Sequence, residues 1–329
     1  MKMLLKFALA ALCSVLLTTA FAQDVFPSRP VSIIVPYPAG GLSDVIARKV
    51  NVAMGKALGQ AVIVENVGGA GGSIGAQKVI NAPADGYNIF QGSPNELILA
   101  PMAIPGIKYK AEDFRQVQRI SVSPLAIVAR TGFPPNSADE LVAYAAKMAK
   151  EGKPVTYASV GAGSFYHLLG EQLAKTAGVE MTHVPYKGGA DIQRDLLGGQ
   201  IDMFITPYGL PHVQLAQQGK TKFVAALSKE RQPLIKDVPA VDEGKSLKGF
   251  HYAIGTGYYV KKDTPEAIVQ ALHKAISAVL ADADVKASLT ALGMEVRAPL
   301  SLDAAAKDYA NEAGQYRAIA KSINLQSPQ

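Results

Sequence analysis

The 329-residue sequence contains no tryptophan and a single cysteine, Cys13. One cysteine excludes an internal disulfide, and the region around it is the only place where thiol chemistry is available. Charge is also sparse: Asp, Glu, Lys and Arg make up 18 % of residues, without a Lys/Arg cluster. A nucleic-acid partner is therefore not expected. The five histidines show no H-E-x-x-H or other metal-ligand spacing. The G-x-S-x-G elbow is not found at Ser159, where the sequence reads Tyr-Ala-Ser-Val-Gly. The glycine stretch Val62 to Gln77 misses the G-x-G-x-x-G register, and no Walker lysine follows it. No cofactor, metal or catalytic residue is expected.

The longest apolar stretch is at the start of the chain. Lys2 and Lys6 precede the apolar run Phe7 to Leu17, and Ala20-Phe21-Ala22 places small residues at −3 and −1 before Gln23. This pattern reads as a secretory signal peptide, residues 1–22, cleaved after Ala22. The run is short of the roughly 20 residues that span a bilayer. Leu12 before Cys13 argues against a lipoprotein site, so Cys13 leaves with the leader. Cleavage removes two lysines and lowers the formal net charge from +6 to +4. The 49 % hydrophobic content is that of a globular chain, and the length suits two domains exported to a periplasm without disulfide staples.

Hydrophobic periodicity alternates between strand and helix. Strands are expected at Val31 to Val35, Ala61 to Glu65 and Tyr87 to Gln91, with helices at Ser43 to Leu58 and Gly72 to Ile80 between them. A second block begins near Ser123. It has strands at 125–129, 155–158, 181–184, 201–205 and 223–227, and helices at 137–149, 165–177, 190–197 and 210–217. Residues 239–259 are irregular, and three helices follow, at 266–280, 283–292 and 302–323. These helices lack strands of their own and are expected to pack back on the first sheet. The class is α/β, in two lobes: 23–125 plus 251–329, and 126–250.

Two glycine-rich strand-to-helix turns carry the chemistry. "VPYPAGGLSD" leads from the first strand into a helix, and "ASVGAGSFYH" repeats the device in the second block. The first N–H groups of such helices are unpaired and point into the crevice at the strand ends, where anions bind. Gly40 and Gly41 alone would pass for a tight turn. Two such turns, one in each lobe, clamp an anion from both sides.

The motifs "PYPAGGLSDVIAR", "NVGGAGGSIGAQKVINAPADGY", "YASVGAGSFYHLLGE", "HVPYKGGADIQRDLLGGQIDMF" and "DVPAVDEG" stand in this order. Together they resemble the periplasmic solute-binding proteins of tripartite tricarboxylate transporters, the Bug family, over nearly all of the chain after the leader. The resemblance implies a two-lobed Venus-flytrap fold, type II-like, each lobe a mixed, mainly parallel sheet flanked by helices. It implies capture of a small organic carboxylate, delivery to membrane permease subunits, and no catalysis. In that family the loops matching Pro38 to Asp44 and Ser159 to His167 grip a carboxylate, mostly through main-chain groups and waters.

Carried over, the ligand-binding candidates in one lobe are Tyr37, Ala39, Gly40, Gly41, Ser43, Asp44 and Ser93. In the other they are Ser159, Gly161, Ser164, Phe165, His167, Tyr186, Ala190, Thr206 and Tyr208. Asp44 reads first as a partner of its helix dipole and second as an acceptor for a ligand amine. Phe165, Tyr37 and Tyr208 read equally as core or cleft wall. The segment "HYAIGTGYYVKKDTP" departs from the family pattern, which often has tryptophan there, so the resemblance carries no ligand contact onto it. A monomer is expected. Two rivals stand beside this reading: an exported hydrolase using Ser164 or His167, and a sensor subunit that docks on a receptor.

Overall fold

The computed structural model describes residues 26–322. The leader, its cleavage point and Ile323, where the last helix is expected to end, lie outside these residues. β1 (Val31–Val35) is an almost unbroken apolar run because it lies between two parallel neighbours, β2 (Val62–Asn66) and β3 (Asn88–Gly92). Helix α1 (Leu42–Leu58) joins β1 to β2 and stops at Gly59, whose φ of 71° is left-handed. α2 (Ser73–Asn81) leads to β3. Beyond β3, Asn95–Leu99 forms a wide π-type turn that continues into the short α3 (Ala100–Ala103). Such turns often mark functional positions.

β4 (Phe114–Arg130) is 17 residues long and passes from one lobe to the other. Its first half pairs with β9 (Ala253–Lys261), which in turn pairs with β3, closing the first sheet in the order β2-β1-β3-β9-β4. From Leu125 onward β4 pairs instead with β7 (Met203–Pro207) and β8 (Thr221–Ala226). The second lobe continues through α4 (Ala138–Lys150), β5 (Val155–Ser159), α5 (Phe165–Ala177), β6 (Met181–Pro185), α6 (Gly189–Leu197) and α7 (Leu210–Gln217). β5, β6 and β7 run parallel; β4 and β8 give the sheet its antiparallel edge. Tyr252 marks the return. Its carbonyl accepts from Leu125 N–H at 3.3 Å and its N–H donates to Leu227 O at 2.9 Å.

After β9 come α8 (Glu266–Ala281), α9 (Ala283–Ala291) and α10 (Leu302–Ser322). Val269, Leu272 and Ile276 of α8 share a core with Val31, Ile33 and Val50, so this helix returns to the first sheet. α10 is tied to β4 by Arg119, only 6 % exposed. Its Nε donates to Asp308 Oδ2 at 2.6 Å, and its two terminal nitrogens reach the Glu312 carboxylate at 2.9 and 2.8 Å.

Two strands differ from the sequence expectation. The front half of β4 is hidden by polar residues such as Gln118 and Arg119, which are buried beneath the C-terminal helices. Gln118 Nε2 donates to Leu300 O at 3.0 Å and to Ser277 Oγ at 3.1 Å. Most of β9 falls within residues 239–259, whose pattern reads as irregular. At Gly255 a Cβ would fall 1.6 Å from Arg119 Nη1, so the glycine makes room for the guanidinium.

Candidate ligand-binding cleft

The lobes enclose a cavity whose empty volume is about 880 Å³, open solvent at its mouth included. Of the sequence candidates, Tyr37, Gly41, Ser43, Ser93, Ser159 and Thr206 line it. Gln91, Glu96, Ser123, Gly189, Ile192, Phe204, Ile254, Thr256 and Met294 line it as well, and sequence reasoning passed over them.

On the first lobe, β1 ends at Pro36 and the chain turns through Gly40 and Gly41 into α1. The first hydrogen bond back along this turn is Val45 N–H to Gly41 O at 3.1 Å, which leaves the N–H groups of Leu42, Ser43 and Asp44 for the crevice. Gln91 fixes the loop by donating from Nε2 to Ser43 O at 2.7 Å. Asp44 is spent inside the loop. Its carboxylate accepts from Gly40 N–H at 3.0 Å and from Arg48 Nε at 3.0 Å. Burial would raise its pKa, but the Arg48 and Gly40 bonds outweigh this and hold it below the usual carboxylate range. Ala39 and Gly40 are exposed on the loop's outer side and do not line the cavity.

Glu96 occupies the wall beside Tyr37. It is 1 % exposed and accepts from Ser93 N–H at 2.7 Å and Ser93 Oγ at 2.8 Å through one oxygen, and from the Tyr37 hydroxyl through the other. Burial raises the pKa of Glu96, and these donors oppose the rise; burial and the neighbouring carboxylate raise that of Tyr37. The π-type turn aims both Asn95 and Glu96 inward. Asn95 Nδ2 donates to Tyr37 Oη at 2.6 Å and to Gly71 O at 3.3 Å.

On the second lobe the candidate turn lies against the first lobe. The Gly161–Phe165 turn grips the first lobe instead of lining the cavity. Phe165 N–H donates to Asn95 Oδ1 at 2.6 Å. A Cβ at Gly161 would come within 3.4 Å of Gly71 N, and one at Gly163 would fall 2.3 Å from Ala103 Cβ. Three more of the turn's donors are used: Gly161 N–H goes to Ser159 Oγ, Gly163 N–H to His167 Nδ1, and Ser164 N–H to Gly161 O. Ser164 is buried as the N-cap of α5, accepting from His167 N–H at 3.3 Å. The Phe165 ring is wholly buried, 5.0 Å from that of Tyr316 on α10, so it is core and not cleft wall. Tyr208 is likewise core, packed on Phe223. The Tyr186 hydroxyl donates to Asp195 at 2.9 Å and lines no part of the cavity.

The opposing amides come from α6. Its N-terminal turn, Gly188-Gly189-Ala190, carries the first backward bond only at Ile192 N–H to Gly188 O, so the N–H groups of Gly189, Ala190 and Asp191 have no partner within the helix. Gly189 lines the cavity; Ala190 is exposed one residue further on. A Cβ on Gly188 would lie 2.8 Å from Pro38 Cδ, which brings the two helix starts together around one mouth. The signal for this turn is the Gly-Gly of "PYKGGAD", which matches that of "PAGGLSD".

Ser159 is held from behind by His183 Nε2 at 2.7 Å, and the His183 ring stacks on that of His167 at 3.9 Å. Burial, then the neighbouring His167, lowers the His183 pKa to about 4; burial lowers that of His167, with Glu171 opposing. Both imidazoles are thus favoured neutral in the folded state. Their contribution is intact above the unfolded value near 6.5 and is lost as pH falls toward about 4. The melting temperature is expected to fall between pH 7 and pH 5, and His183→Gln to flatten that dependence, as scanning calorimetry across the range will read. An unchanged slope in the variant would contradict this assignment.

Residues 46–325 match the family described as "Tripartite tricarboxylate transporter family receptor". Among solved structures, the periplasmic binding protein BugD is 33 % identical, with a TM-score of 0.82 over 92 % of this chain and 100 % of that one. MatC from Rhodopseudomonas palustris, solved with bound malate, is 30 % identical, with a TM-score of 0.82 over 89 % and 99 %. R. palustris Rpa4515, solved with adipate, is 27 % identical, with a TM-score of 0.83 over 92 % and 100 %. The fold is that of the type II-like periplasmic binding proteins. With its family match and these relatives, the chain belongs to the tripartite tricarboxylate transporter receptors of the Bug type, a family of periplasmic solute-binding proteins and not of enzymes.

Proposed function

We propose that this receptor closes its lobes on a small organic carboxylate and presents the closed complex to the permease subunits of a tripartite tricarboxylate-type transporter. The observation that carries the reading is the pair of helix starts, α1 and α6, that meet at one cavity with their first N–H groups unpaired in the helices. Relatives solved with malate and adipate support a carboxylate ligand. In this reading Tyr37, Gly41, Ser43, Ser93, Ser159 and Thr206 contact the ligand or its waters. Residues 23–125 with 251–329 move as one body and 126–250 as the other, about the crossings at Leu125 and Tyr252. The mature chain begins at Gln23 after cleavage of the leader.

Closure excludes water and strengthens each charge-assisted bond to the carboxylate. A ligand that binds only the folded state stabilises it by about 2.7 kcal/mol at a hundredfold excess over Kd. For a chain of this size that raises the melting temperature by roughly 5–10 °C. A thermal-shift screen of mono-, di- and tricarboxylates, amino acids and aromatic acids is expected to produce such a shift without turnover of the stabilising compound. No shift with any carboxylate would overturn the reading.

A further inference from the structure

Among the described residues the cavity lining carries no lysine, arginine or histidine, and its one formal charge is Glu96. Its side chain is fixed. Its Cγ packs where a Cβ on Gly72 would lie, 2.4 Å away, and donors from Ser93, Tyr37 and Asn95 surround its two oxygens. Burial raises its pKa, and these hydrogen bonds, which favour the ionised form, oppose the rise. With these donors already in place, the carboxylate acts on a ligand chiefly through its charge. Much of the remaining wall is apolar: Ile192, Phe204, Ile205, Ile254 and Met294.

Resting on the carboxylate reading above, we infer that Glu96 is the specificity-determining residue of the cleft and restricts the ligand to a monocarboxylate with an apolar body. One carboxylate is met by the amides of α1 and α6. A second finds no cation among the lining side chains and a fixed anion on the wall, in a site from which closure removes water. Like charges in such surroundings interact far more strongly than in bulk solvent. Discrimination here acts by repulsion of the wrong ligand as well as by attraction of the right one.

The test pairs ligands that differ by one carboxylate: hexanoate against adipate, butyrate against succinate, and benzoate against phthalate. Calorimetric titration of each is carried out on the wild-type receptor and on Glu96→Gln. The wild type is expected to bind the best monocarboxylate at least tenfold more tightly than its partner. Glu96→Gln is expected to narrow that ratio at least tenfold, mainly by tightening the dicarboxylate. The wild-type ratio stands as a test by itself even if the variant folds poorly, which its melting curve will reveal. A wild type that binds a dicarboxylate as tightly as its partner, or a folded variant with the same ratio, would overturn the role of Glu96 while leaving the carboxylate receptor intact. Binding of neither class would overturn the carboxylate reading and this inference with it.

Discussion

Asn95→Ala is expected to weaken ligand binding by about 5- to 150-fold while leaving the receptor folded. Asn95 is fully buried and works in two directions. Its Oδ1 accepts the Phe165 N–H of the opposite lobe at 2.6 Å, and its Nδ2 orients the Tyr37 hydroxyl at 2.6 Å. The interlobe bond exists only when the lobes meet. In an open molecule water satisfies the Phe165 N–H, so the loss falls on the closed, ligand-holding state. A buried donor left without its acceptor costs about 1–3 kcal/mol, and each 1.4 kcal/mol is about tenfold in affinity. Asn95→Asp supplies the comparison: it keeps the acceptor for Phe165 N–H but loses the donor to Tyr37, so it is expected to recover part of the affinity. Titration calorimetry with the best carboxylate from the screen reads both variants. An affinity within twofold of wild type for Asn95→Ala would show that this contact does not hold the lobes together.

Arg119→Met is expected to lower stability by about 3–5 kcal/mol, the usual consequence of removing one partner from a buried ion pair. Glu312, with a side chain 11 % exposed, is left without its bidentate partner, and Asp308 loses a bond of 2.6 Å. The melting temperature should fall by roughly 10 °C, at about 2–4 °C per kcal/mol for a chain of this size. The sign of the pH dependence follows from Glu312. Burial already raises its pKa, and Arg119 opposes the rise. Without Arg119 the buried carboxylate must take up a proton to remain inside, so the destabilisation is largest at neutral pH and shrinks as pH falls toward the ordinary carboxylate range. Arg119→Met combined with Glu312→Leu should regain much of the loss, because an apolar pair replaces an orphaned charge. A change below about 2 °C for the single variant would show that α10 is held by its apolar contacts alone.

The helices were legible where chain-end chemistry is local. Ser164 caps α5 and Gly178, with φ of 65°, stops it, so its limits could be read from residues within a turn of each end. The front of β4 and all of β9 were not legible, because their character is set by distant partners. Gln118 and Arg119 belong to a buried strand only because Ser277, Leu300, Asp308 and Glu312, far along the chain, satisfy them. The cleft shows the same division. The Pro-Tyr-Pro-Ala-Gly-Gly turn located Tyr37, Gly41 and Ser43, since a glycine pair at a strand-to-helix turn leaves amides open.

The Gly161-Ala162-Gly163 turn carries the same glycine signal, yet it packs against the other lobe. A glycine records that something approaches the backbone closely, without recording what. At Gly161 it is the backbone of Gly71 and at Gly163 the methyl of Ala103, both from the other lobe. At the amide-lined turn Gly188-Gly189 the sequence pointed to its neighbours Tyr186 and Ala190, whereas Gly189 is the residue that lines the cavity. Glu96 left still less trace: no local motif marks it, and only the fold places it in the cleft wall beside Tyr37 and Ser93.

In the proposed closed receptor the two lobes share one anion between the starts of α1 and α6. A crystal structure of the receptor with its tightest carboxylate tests it directly. The account predicts carboxylate oxygens about 2.7–3.2 Å from N–H groups in both Leu42–Asp44 and Gly189–Asp191, directly or through one ordered water. A carboxylate held by one lobe alone, or by the Gly161–Phe165 turn with Gly189 turned away, would contradict it.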